Sequence, residues 1–156
     1  MSERDRDSSG RARNARPRDG LGRPLPHDAV GVERVPEDLV LPPDASLTEA
    51  QRLLDAGRPF HAHEVLEGTW KAAQPGERDL WQGLAQLAVG LTHQGRGNRT
   101  GAVTLLRRGA RQIKRYADSP PHGIDVAGLA GFAEGLADEI ESGGAGAAEP
   151  PRLRAD

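Results

Sequence analysis

The residues best suited to chemistry lie in one short stretch, His61-Ala62-His63-Glu64-Val65-Leu66-Glu67-Gly68-Thr69-Trp70. On a helix, His63 and Glu67 are four positions apart and therefore neighbours on the surface. An imidazole and a carboxylate at that spacing can converge on one metal ion or share one proton. Farther along, Gln82, Gln86 and His93 fall within a narrow angular sector of a second helix, opposite its leucine stripe. If the two polar stripes meet, His63, Glu67 and His93 form a His/His/carboxylate set for a divalent metal ion. Glu64 could then serve as a fourth ligand or a base. A ligand-binding set of His63, Glu64, Glu67, Trp70, Gln86 and His93 covers the same surface. The plainer alternative is that His63 and Glu67 form a hydrogen-bonded pair at a helix crossing, satisfied by Gln86 or His93. His61 is expected to face solvent and Trp70 to face the core.

Other chemistries drop out. With no cysteine there is no thiolate metal site, no disulfide framework and no thiol nucleophile. The stretch around His63 is not the two-histidine zincin pattern, because position 67 is Glu. Gly95–Gly101 lacks the Lys-Ser/Thr ending of a phosphate loop, and no nucleophile elbow is present. A formal charge of −2 argues against a strongly basic nucleic-acid binder. No apolar run approaches the roughly 18–20 residues of a membrane span, and the first 20 residues have no apolar leader. A cytoplasmic protein without membrane or specific nucleic-acid partners is expected. Its partner is a small ligand or another protein, with homo-oligomerisation left open.

The elements that must position these residues are helices. The five aromatic residues, Phe60, Trp70, Trp81, Tyr116 and Phe132, leave the core to Leu, Ala and Val. Residues 1–28 form an Arg/Pro-rich arm with little to bury, so most of it is expected to be disordered. Within it, 16–26 carries Leu21 and Leu25 among prolines and is expected to dock on the body. A Pro-punctuated connector follows over 29–45. Ser46-Leu47-Thr48-Glu49 reads as a capping box that opens the first helix, and Gly57 reads as its stop. Further helices are expected over 59–73, 77–94, 99–117 and 124–141, with Asn98 as an N-cap. Residues 142–156 read as a disordered tail. The fold class is all-α: one compact antiparallel bundle of four to five helices over 46–141, with disordered termini.

Three blocks in order carry a resemblance: Phe60–Trp70, Trp81–His93 and Gly97–Leu106. They read as a His-Glu-x-x-Glu-x-x-Trp helix, a Gln-rich apolar helix ending in His, and Gly-Asn-x-x-Gly-Ala opening the next helix. Over about 46–117 this resembles the domain-of-unknown-function family 309. The resemblance implies a small all-helical bundle and no particular activity. It places the family pattern on His63, Glu64, Glu67, Trp70, Gln82, His93, Asn98 and Gly101. The arm segment 16–26 looks like an extension found in part of that family.

The function expected is a binding module whose His/Glu site holds a metal ion or a small polar ligand. A non-catalytic scaffold, with the cluster structural, is the alternative, and a metal-dependent hydrolase is the second.

Overall fold

A computed structural model describes residues 5–6, 12–13, 39–144 and 149–155. Most of the arm and of the connector lies outside the described residues, and so does the docking expected of 16–26. Asp5–Arg6 pairs antiparallel with Ala12–Arg13.

Five α-helices make up the body among the described residues: α1 (Pro43–Asp55), α2 (Pro59–Ala72), α3 (Arg78–Gly95), α4 (Arg99–Ile113) and α5 (Val126–Glu141). Each packs on the next along the chain. The directions alternate. The start of α1 meets the end of α2, where the Thr69 hydroxyl donates to Ser46 Oγ at 2.7 Å. The start of α3 meets the end of α4, where Gln112 Nε2 donates to the Asp79 carbonyl oxygen. The start of α4 meets the end of α5, where Arg99 donates to the Ile140 carbonyl oxygen. This is the all-α antiparallel bundle expected. No described helix is long and apolar enough to cross a membrane.

Amphipathic spacing explains the core. Leu47, Leu53, Val65, Leu66, Leu84, Leu106 and Leu129 recur at helical intervals and are almost wholly buried. Where α3 crosses α4 the backbones approach closely. A Cβ on Gly109 would lie 2.9 Å from the Gly83 carbonyl oxygen and 2.8 Å from Leu87 Cδ2. Glycine at this crossing removes the obstacle and seats α3 in the middle of the bundle, between α2 and α4.

Several boundaries differ from the expectation. Helix α1 begins at Pro43, not Ser46, because proline at the first helical position is preset for helix. Ser46 is therefore buried inside α1 and caps nothing: its amide donates to the Pro42 carbonyl, and its hydroxyl accepts from Thr69. Gly57 does stop α1, at φ 72°. Asn98 caps α4 as expected, accepting from the Gly101 amide at 3.1 Å. Helix α4 stops at Ile113 and tightens into a 3₁₀ turn over Lys114–Tyr116. Asp125 caps α5 by accepting from the Gly128 amide.

The C-terminal segment needs a larger correction. Residues 149–155 pack on the body and are not a free tail. Leu153 is buried, its amide donates to Gln51 Oε1 at 2.9 Å, and its carbonyl accepts from the Asp125 amide at 2.9 Å. Gln51 Nε2 also donates to the Pro151 carbonyl oxygen. One leucine, stiffened by Pro150 and Pro151 and met by ready hydrogen-bond partners, is enough to order a segment of otherwise unpromising composition.

Candidate functional site

Helix α2 is gripped by α1 on one side and α3 on the other. It therefore buries a wide face: Pro59, His61, Ala62, Val65, Leu66 and Thr69. The stripe Phe60, His63, Glu67 and Lys71 is left toward the outside. Proline in its first turn starts the helix, and no side chain caps it.

The expected His63–Glu67 pair forms. His63 Nε2 lies 2.8 Å from Glu67 Oε2, and Lys71 Nζ lies 2.9 Å from Glu67 Oε1. His63 is one-fifth exposed and Glu67 one-third. Burial works against the Glu67 carboxylate, but the hydrogen bond from Lys71 and the His63 charge outweigh it, holding Glu67 below the ordinary carboxylate value of 4.5. The pair is thus a fixed acceptor on one ring nitrogen of His63. The other nitrogen, Nδ1, is buried and has no hydrogen-bond partner among the described residues. The Phe60 ring packs on His63, with centroids 5.6 Å apart, and carries the Arg96 guanidinium 5.8 Å from its centroid.

On α3 the polar sector divides. Gln82 Oε1 accepts from Gln112 Nε2 of α4 at 2.7 Å. His93 Nδ1 lies 3.0 Å from Asn98 Nδ2, in the turn to α4. Between them, Gln86 Oε1 is buried with no hydrogen-bond partner among the described residues. The His63, Glu67 and His93 set does not assemble: among the described residues no group of three or more His, Asp or Glu could hold a metal ion. His93 is drawn to the α4 cap instead. Gly101 allows this, since a Cβ there would come within 2.7 Å of Asn98 Nδ2 and 3.1 Å of His93 Cγ. Glu64 and Trp70 are half-buried on α2, and Trp70 packs against the edge of the core, not within it.

His61 departs furthest from its expected place. It is 1% exposed and among the largest fully buried side chains, with its ring edge-on to Phe60 at 5.9 Å. It shares a buried stripe with Val65 and Thr69, four and eight residues on, and Thr69 meets Ser46 of α1. The spacing to Val65 was the available signal.

A second His–carboxylate pair was not anticipated. His122 Nε2 lies 2.7 Å from Glu77 Oε1, which also accepts from Trp81 Nε1 at 3.2 Å. His122 adopts a left-handed backbone, φ 58°, and its ring lies 5.9 Å from that of Trp81. Forty-five residues separate the partners, and nothing local in the sequence joins them.

Residues 47–105 match the model of the family described as Domain of unknown function (DUF309). The chain resembles that family over α1, α2, α3 and the first half of α4, the portion that holds His63, Glu67, Gln86, His93 and the Asn98 cap. The uncharacterized protein YpuF of Bacillus subtilis (strain 168) is 33% identical over 85 residues, 53% of this chain and 49% of that protein. The chain spans about half the length of that relative. No solved structure matches it.

Proposed function

We propose that the chain is a binding module that takes a small polar ligand on the outer face of α2 and α3, at His63, Glu67 and Gln86. One observation carries this reading: His63 Nδ1 and Gln86 Oε1 are buried without hydrogen-bond partners among the described residues. An unsatisfied buried polar atom costs roughly 1–3 kcal/mol. Such atoms are the exception in folded proteins and call for a reason, of which a missing ligand is one. Glu67 holds His63 by Nε2. In the neutral ring the proton then sits on Nε2 and Nδ1 is a lone-pair acceptor. Gln86 Oε1 is a second acceptor. The matching ligand offers hydrogen-bond donors, as an amine, an amide or a polyol does. Trp70 and Phe60 lend apolar surface beside the polar atoms.

A divalent ion is the other occupant of this site. His63 and Glu67 would then supply two ligands, and water or an organic ligand the rest.

The test is a binding screen on protein purified without a His-tag. Thermal shift and calorimetry against small amines, amides, polyols, Zn²⁺, Mn²⁺ and Mg²⁺ should find a ligand whose stabilisation disappears in His63→Leu and Gln86→Met. If no compound stabilises the wild type and both substitutions destabilise it, the two side chains serve the fold and the reading fails.

A further inference from the structure

We propose a second, independent site: the groove between α4 and α5 binds a small phosphate-bearing molecule of about mononucleotide size. The groove encloses about 520 Å³, within the usual range of roughly 300–1,000 Å³ for small-molecule sites. Arg99, Arg107 and Arg111 line it, three cations from one face of α4, against Glu141 of α5. Thr100 and Thr104 also line it, and Val103 and Ile140 supply an apolar lining.

Two of the cations are already held in position. Arg107 donates from Nη1 to Glu141 Oε2 at 2.9 Å and from Nη2 to Asp138 Oδ1 at 2.8 Å. Arg99 donates from Nη2 to the carbonyl oxygens of Ile140 and Gly144, at 3.1 and 3.0 Å. Those contacts leave the Arg99 Nε and Nη1 donors unassigned and hold the guanidinium in place, so little side-chain entropy remains to be lost on binding. Arg111 is different. It lines the groove one turn beyond Arg107 and makes no ion pair or hydrogen bond with any described residue. Its planar fork of donors matches a phosphate in a bidentate manner.

The chemistry selects the class. Hydroxyls from two threonines suit the peripheral oxygens of a phosphate, and the apolar lining suits an organic portion attached to it. The carboxylates of Glu141 and Asp138 at the rim disfavour an extended polyanion such as nucleic acid, which needs an unbroken basic track. A compact phosphate ester needs only the end of the groove lined by Arg111, one turn beyond the ion-paired Arg107.

The test uses the full chain in phosphate-free buffer of low ionic strength. Calorimetry or amide NMR is run with inorganic phosphate, pyrophosphate, AMP and adenosine. Pyrophosphate or AMP should bind, and adenosine should not. Arg111→Gln should weaken binding about tenfold, the loss of one charge-assisted contact, with an unchanged melting temperature. Arg108→Gln, an exposed cation on α4 outside the groove lining, is the control and should bind as the wild type does. No binding of any phosphate-bearing probe at millimolar concentration overturns the proposal. Equal losses in Arg111→Gln and Arg108→Gln also overturn it, because they would show general charge attraction without a built site.

Discussion

Gln82 and Gln86 sit one turn apart on α3, and their substitution by methionine should have opposite signs. Methionine keeps the length and flexibility of glutamine and removes its polar atoms. At Gln86 it replaces a buried carbonyl oxygen that accepts no bond from the described residues. Removing an unsatisfied acceptor of that kind recovers part of a desolvation cost of roughly 1–3 kcal/mol. We expect Gln86→Met to stabilise the chain by about 1 kcal/mol, which raises the melting temperature by roughly 4–8 °C in a domain near 100 residues. At Gln82 methionine deletes an oxygen that accepts from Gln112 at 2.7 Å. Gln112 keeps its bond to the Asp79 carbonyl oxygen, so the loss should be about 0.5–1.5 kcal/mol. Urea denaturation of the two variants, with m-values compared, measures both. A loss of about 1 kcal/mol or more for Gln86→Met would show that its oxygen accepts a bond in the folded chain. Gln86 would then not belong to an open polar site.

Three further substitutions test the packing and the electrostatics. Glu67 is held below its ordinary 4.5, so the unfolded chain takes up the proton first as pH falls; the stability from Glu67 is full above about 4.5 and disappears as pH drops through the native value. Glu67→Gln should therefore show a shallower acid limb in melting temperature against pH, and an unchanged slope contradicts the pairing with His63 and Lys71. Leu153→Ala should cost about 2–3 kcal/mol, at the low end for a buried leucine because the segment can peel away; a free tail would show no loss in denaturant melts. Gly109→Ala should cost about 1–3 kcal/mol by forcing α3 and α4 apart, and a circular-dichroism melt that matches the wild type would show that the crossing gives way.

Local physics carried the sequence reading of the helices. Asn98 caps α4 and Gly57 stops α1 because each acts within its own turn. The His63–Glu67 pair was legible for the same reason, since both residues sit on one helix. What failed depended on neighbours. Ser46 looks like a cap until Pro43 starts the helix a turn early and α2 brings Thr69 to its hydroxyl. His61 looks exposed, yet it lies on the buried face of α2 with Val65 and Thr69. His93 shares an angular sector with Gln86, yet the α4 cap claims its Nδ1. The docked Leu153 depends on Gln51, about a hundred residues away, and no composition argument reaches that far.

The most direct test of the binding site is long-range ¹H–¹⁵N NMR of the His63 ring, recorded free and during titration with a compound that stabilises the protein in the thermal screen. In the free protein Nε2 should carry the hydrogen bond to Glu67, and Nδ1 should show no internal partner. On saturation Nδ1 should shift while the Nε2 signal holds. An Nδ1 already hydrogen-bonded in the free protein, and unmoved by every compound, would contradict a ligand site at His63.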